Sequence, residues 1–170
     1  METYVVLFRG INVGGNNKVA MKPLVAALEN AGFINVNYYI QSGNVVLDSD
    51  SSPLRLIAEV VKELCGISPA IMVIKASEFS DITASNPYKN KEGKLVHFFI
   101  CNDIPELNLD KVAKYQLLCE QYTLKDRTLY LFAPDGIGRS KFATNMESCL
   151  GVSATARNLN TINKIVAMLD

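Results

Sequence analysis

Hydrophobic periodicity along the chain runs through the order strand, helix, strand, strand, helix, strand, and then runs through that order again. Tyr4 to Phe8 is a continuous apolar run of the kind that forms a strand covered on both faces. From Met21 the spacing turns helical through Leu24, Val25 and Leu28, and Gly32 is placed to close the helix. Two β-rich runs, Val36 to Gln41 and Asn44 to Leu47, flank Ser42-Gly43, which predicts a two-residue hairpin turn. Ser52 as cap and Pro53 at the first position open a second helix, with Leu54, Ile57, Ala58, Val61, Leu64 and Cys65 on one face and Gly66 at its end. Pro69 to Ile74 reads as a strand.

A polar connection, SDITASNPYKNKEGK, separates this succession from the next. Leu95 to Cys101 predicts a strand, Leu109 to Gln121 a helix, and Tyr122 to Leu124 with Thr128 to Ala133 a hairpin around Lys125, Asp126 and Arg127. Phe142, Met146, Cys149 and Leu150 share one helical face ended by Gly151, Ser153 to Arg157 is the fourth strand, and Leu159, Ile162, Val166 and Leu169 mark an added final helix. The expected architecture is α+β: two tandem ferredoxin-like β-α-β-β-α-β units with antiparallel sheets, plus a C-terminal helix. The expected division is 1–84, a connection at 85–93, and 94–170, and the two halves can form one compact domain. Such a topology leaves one face of each sheet uncovered, yet VHFFIC and LYLFA are apolar at nearly every position. Packing of the sheets against each other or edge to edge is the expected remedy, ahead of a ligand cavity.

Composition limits the function classes. Seventeen basic residues balance seventeen acidic ones, so no global charge draws the chain to nucleic acid or an anionic membrane. The distribution is uneven: between Thr3 and Leu28 the only charges are Arg9, Lys18 and Lys22, and between Gly136 and Leu169 four bases face Glu147 alone. The four cysteines are widely spaced in apolar segments and read as reduced core residues. No metal site is expected, because the lone His97 has no closely spaced cysteine pair to join. Nor do His97 and Cys101 make a catalytic pair, since four residues of strand span roughly 13 Å. No apolar run approaches the roughly 20 residues that cross a bilayer, and the first is too short for a signal peptide. The expectation is a cytoplasmic protein without a bound cofactor.

The glycine-rich stretch RGINVGGNNKV follows the first strand. Gly10 to Gly15 has the first spacing of a P-loop, but Asn16 stands where the lysine belongs, and Lys18 is followed by Val19 rather than a hydroxyl residue. The dinucleotide fingerprint fails too, in a sheet predicted to be antiparallel. Topology nevertheless predicts a meeting place: the first strand should end at the edge where the hairpin turns, bringing Arg9, Gly10, Asn12, Gly14 and Gly15 near Gln41, Ser42 and Asn44. A guanidinium, side-chain amides, a hydroxyl and exposed backbone N–H groups would bind phosphate or carboxylate there. Equally, the glycines can serve a tight exit into the helix while Asn12, Asn16 and Asn17 hydrogen-bond the backbone locally. A second polar cluster, Thr155, Arg157, Asn158, Thr161 and Lys164, stands where the last strand turns into the final helix, where it can hold an anion or simply cap that helix.

With RGINVGGNNKV, YIQSGNVVL and TARNLNTINKI in this order, the chain resembles the bacterial domain of unknown function 1697 family over essentially its whole length. The resemblance implies an α+β fold of two ferredoxin-like halves and no established activity. It directs attention to Arg9, Gly10, Asn12, Gly14, Gly15, Gln41, Ser42, Gly43 and Asn44, and to Thr155, Arg157, Asn158, Thr161 and Lys164. Leu159 stands where many relatives carry tryptophan, which removes aromatic stacking at that position.

The leading functional expectation is binding of an anionic small molecule at the glycine loop and hairpin. Arg9 would hold the charge, and Asn12, Gln41, Ser42 and Asn44 would orient it. No nucleophile or acid–base pair is legible, so catalysis is left open. The alternative is a protein-interaction or assembly module in which the loop is structural. A third reading, single-stranded nucleic-acid binding, is disfavoured by the neutral charge and the absence of tryptophan.

Overall fold

The computed structural model describes every residue, Met1–Asp170. The elements are β1 (Glu2–Arg9), α1 (Met21–Asn30), β2 (Ile34–Tyr39), β3 (Asn44–Ser49), α2 (Leu54–Cys65), β4 (Ala70–Lys75) and α3 (Ala76–Ala84). They continue with β5 (Val96–Cys101), α4 (Leu109–Tyr115), β6 (Gln121–Lys125), β7 (Thr128–Phe132), α5 (Lys141–Thr144), α6 (Met146–Leu150), β8 (Ala154–Asn158) and α7 (Leu159–Leu169). Two four-stranded sheets form, in the orders β2-β3-β1-β4 and β6-β7-β5-β8, with every neighbouring pair antiparallel. This is the order a β-α-β-β-α-β unit requires when its helices cross over to one face, so the α+β architecture expected from periodicity is present. The chain forms two compact units, one of Met1–Asp81 with Asn163–Asp170, the other of Ile82–Ile162.

In the first unit, alternation along β1 divides its residues between two buried faces. Tyr4, Val6 and Phe8 pack with Val45 and Leu47 of β3, Leu24 and Leu28 of α1, and Ile57 and Val61 of α2. Val5, Leu7, Val46, Met72 and Ile74 on the alternate positions are buried as well. Each such side chain contributes on the order of 1.5–3 kcal/mol, which accounts for the unbroken apolar run in β1. The apolar face expected on α2 is narrower than its sequence: only Ile57 and Val61 are buried, while Leu54 and Leu64, in the end turns, are 44% and 42% exposed.

From α3 onward the structure departs from the sequence reading in three places. Helix α3 runs from the end of β4 into the polar connection, and its Phe79 is fully buried; the spacing of Ala76, Phe79 and Ile82 is its only sequence signal. The helix expected over Leu109 to Gln121 stops at Tyr115, because Gln116 and Glu120 side chains capture backbone groups. Gln116 Nε2 donates to the Glu120 carbonyl at 2.9 Å and Leu117 N–H donates to Glu120 Oε1 at 2.8 Å, folding a turn that releases Gln121 into β6. The single helix expected around Phe142 is two, α5 and α6, broken at Asn145. There Asn145 Nδ2 donates to the Lys141 carbonyl at 2.8 Å, and Thr144 Oγ1 donates to the Ser140 carbonyl at 3.1 Å, the local competition that makes Asn and Thr poor helix interiors. Phe142, Met146, Cys149 and Leu150 remain buried on one side.

Residues 82–91 lie across the sheet face opposite those helices. Tyr130 Oη donates to the Ile82 carbonyl at 2.6 Å, Tyr88 stacks on Phe132 with centroids 6.2 Å apart, Tyr88 Oη and Thr123 Oγ1 are 3.1 Å apart, and Lys91 stands 5.1 Å over the Phe132 ring. Part of the cover that this sheet needs therefore comes from the chain just before it.

His97 sits on the helix-facing side of β5, opposite Leu131 and Asn158, and its Nδ1 is buried without a hydrogen-bond partner. Burial holds its pKa below the ordinary value of 6.5, because the imidazolium would be desolvated. The unfolded chain then binds the proton first as pH falls below about 6.5, so this contribution to stability is complete above that pH and is lost on acidification. We predict that the denaturation midpoint falls between pH 6.5 and 5, with a slope of up to about 1.4 kcal/mol per pH unit, and that His97→Leu flattens this limb. An unchanged limb in that variant would assign it to other groups.

Candidate functional site

The register of β1 and β3 decides what meets at the end of the first sheet. Leu7 pairs with Asn44 as the last pair, and Phe8 N–H donates to the Gly43 carbonyl at 2.9 Å. The chain beyond Arg9 and the turn before β3 are therefore forced together. The turn is longer than its sequence suggested. Tyr39 pairs with Asn44, which leaves four residues, Ile40 to Gly43, in the turn rather than Ser42-Gly43 alone. Asn44 provides the reason: its Nδ2 donates to the Tyr39 carbonyl and to Ser42 Oγ, both at 3.1 Å, and so closes the wider turn. Gly43 has φ +86°, and a Cβ there would stand 2.7 Å from both Ile11 Cδ1 and Phe8 Cβ.

Asn12 binds the glycine loop to that turn. Its Nδ2 donates to the Val19 carbonyl at 2.9 Å and to the Gln41 carbonyl at 2.6 Å, while its Oδ1 accepts from Val19 N–H at 2.8 Å. One side-chain amide thus holds the loop's exit and the hairpin turn at once. Asn17 closes the loop's neck: its Nδ2 donates to the Gly10 carbonyl at 3.1 Å, and its own carbonyl accepts from Asn12 N–H at 3.1 Å. At the tip, Asn16 N–H donates to the Val13 carbonyl at 3.0 Å around Gly14 and Gly15, whose φ values of +58° and +78° are those of a type I′ turn.

The structure brings all of Arg9, Gly10, Asn12, Gly14, Gly15, Gln41, Ser42 and Asn44 to one end of this sheet, but it divides them by task. Asn44 is fully buried, and Asn12 is committed to three backbone contacts. Gly10, Gly14, Gly15, Gln41 and Ser42 are exposed, and Arg9 is half-buried beside Ala70 of β4. No acidic side chain occurs within 9–19 or 40–44, and Lys18 is exposed.

Ile40 is a feature that sequence reasoning missed. Five non-glycine residues have positive φ: Asn12, Asn17, Asn35, Asp126 and Ile40. Four are Asn or Asp, which tolerate this region, whereas a β-branched residue at φ +49° is an outlier. Ile40 is also 45% exposed. Ile40→Asn is expected to raise stability by about 1 kcal/mol, measured as a shift of the denaturant midpoint; a loss of stability would show that Ile40 packing outweighs the strain.

The second polar cluster does not converge. Thr155 and Arg157 share one face of β8 and Asn158 takes the other, since neighbours alternate along a strand. Asn158 Oδ1 accepts from Thr161 N–H at 2.9 Å and so caps α7. Thr155 and Thr161 are buried. An Arg157 Nη donates to the Ala156 carbonyl at 2.8 Å, and burial pulls the guanidinium pKa down to about 10. Lys164 is exposed on α7.

Among other reactive groups, Cys101 is unsuited to nucleophilic work: burial, reinforced by Glu147 and Asp103, pushes its thiol up to about 11. No helix is long and apolar enough to cross a membrane.

A family model described as "Protein of unknown function (DUF1697)" matches residues 1–130, a range that holds the glycine loop and the hairpin but not the 155–164 cluster. Among solved structures, the conserved bacterial protein SP0830 from Streptococcus pneumoniae is similar over 99% of each chain, with a TM-score of 0.73 and 24% sequence identity. At that identity the likeness concerns the fold. No curated protein matches the chain.

Proposed function

The chain belongs to the DUF1697 family of proteins of unknown function, and we propose that it binds an anionic small molecule, through a phosphate or carboxylate group, at the end of the first sheet. What carries the reading is the bond from Asn12 Nδ2 to the Gln41 carbonyl at 2.6 Å. It holds the glycine loop against the hairpin turn before any ligand arrives, so binding need not order two separate loops. Arg9 supplies the charge, Gln41 and Ser42 supply side-chain donors, and the exposed Gly14-Gly15 turn supplies backbone N–H groups. Asn12 and Asn44 act behind them as supports rather than as ligand contacts. Neither loop brings a carboxylate of its own that would oppose a bound negative charge. Binding is the function proposed; donors of this kind also stabilise developing negative charge.

We read the two units as a tandem duplication of a ferredoxin-like fold, on the strength of one strand order occurring twice. The four cysteines are free thiols, which fits a reducing cytoplasm.

The test is a thermal-shift panel of inorganic phosphate, nucleotides, sugar phosphates and carboxylates on wild type and Arg9→Ala. A ligand present at 100 times its dissociation constant adds about 2.7 kcal/mol of stability. A shift in wild type that is lost in a folded Arg9→Ala supports the reading, and an equal shift in both refutes it.

A further inference from the structure

Two exposed aliphatic side chains flank the bond that joins the loops. Val13, next to Asn12, is 64% exposed, and Ile40, next to Gln41, is 45% exposed. Isolated surface aliphatics are ordinary, but these two are the chain neighbours of Asn12 and Gln41, which are bonded to each other, and Ile40 holds a backbone conformation that four comparable positions give to Asn or Asp. Strain of this kind persists where the surrounding structure imposes it, and it gathers at binding sites. Nearly half of the residue faces solvent, where an apolar side chain gains least from burial.

We infer that the anion recognised beside Arg9 carries an apolar or aromatic substituent, and that Val13 and Ile40 form the surface against which this substituent lies. The inference rests on the anion-binding reading and narrows it to amphiphilic anions such as aryl or alkyl phosphates and carboxylates. The charges agree with it: the loop offers Arg9 and Lys18 for the anionic end, and the turn of Ile40 to Gly43 carries no charge that would penalise an apolar end. A sugar phosphate presents hydroxyls to the two aliphatic side chains and gains nothing from them. An aryl group removes apolar surface from water on both sides of the contact.

The experiment measures dissociation constants for inorganic phosphate and phenyl phosphate on wild type, Ile40→Asn and the double variant Val13→Ser/Ile40→Asn, by calorimetry or by amide shifts. Ile40→Asn suits the conformation better than isoleucine, so folding does not confuse the result, and a melting curve on each variant verifies it. The expected result is phenyl phosphate bound more tightly than phosphate by wild type on the order of tenfold, about 1.4 kcal/mol, with that ratio falling towards one in the double variant. Equal affinity for the two probes in wild type overturns the apolar contact while leaving anion binding intact. A preference that survives both substitutions overturns the assignment to Val13 and Ile40. Failure of both probes to bind refutes the underlying anion reading and this inference with it.

Discussion

Gly43→Ala is expected to destabilise the first unit by about 2–4 kcal/mol. Two costs add. A left-handed backbone with a Cβ costs roughly 1–2 kcal/mol, and Gly43 has φ +86°. Overpacking costs typically about 1–3 kcal/mol more, and here the new Cβ would stand 2.7 Å from Phe8 Cβ as well as from Ile11 Cδ1. Ile11 can turn its Cδ1 aside, but Phe8 Cβ is fixed to a strand paired on both sides, with Gly43 itself accepting from Phe8 N–H. Gly66, at φ +72° with nothing within 4 Å of its would-be Cβ, isolates the first cost. Denaturant midpoints of Gly43→Ala and Gly66→Ala therefore should differ clearly. Equal losses would show that the contact with β1 yields without resistance, and that the hairpin turn is not pressed against the strand.

Asn12→Ala is expected to cost roughly 2–4 kcal/mol, because it removes three hydrogen bonds worth about 0.5–1.5 kcal/mol each and leaves alanine at φ +54°. Asn12→Gly separates the two contributions, since it tolerates the backbone but loses the same bonds. If Asn12→Gly is as stable as wild type, the staple carries no energy. Loss of the staple also should weaken any anion binding, because the Gly14-Gly15 turn and the Gln41-Ser42 pair would then have to be brought together at the moment of binding.

The order of the elements was legible because each strand and helix buries an apolar face with its own period, as β1 and α1 do. The meeting of the glycine loop with the hairpin was legible because pairing β1 antiparallel to β3 leaves the two no other place to go. What the sequence could not disclose was the allegiance of its amides. Asn12, Asn17 and Asn44 have the donors and acceptors of ligand-binding residues, and side-chain amides serve backbone and ligand equally well. Only their placement beside the Val19, Gln41, Gly10 and Tyr39 carbonyls shows them as structural. The same uncertainty hid the end of α4, where Glu120 reads as one more helix former until its carboxylate takes Leu117 N–H. Ser42-Gly43 resembled a two-residue turn for a related reason: the Asn44 side chain, and not the dipeptide, sets the turn's length.

We propose that the glycine loop and the hairpin turn form a prepared surface for an anion. The most direct measurement is a titration of isotope-labelled wild type with inorganic phosphate, followed residue by residue through amide signals, beside the same titration of Arg9→Gln. Saturable shifts concentrated at Gly14, Gly15, Gln41 and Ser42 are expected in wild type, strongly reduced in Arg9→Gln while the rest of its spectrum stays folded. Shifts that never saturate, that fall elsewhere, or that persist unchanged in Arg9→Gln would contradict it.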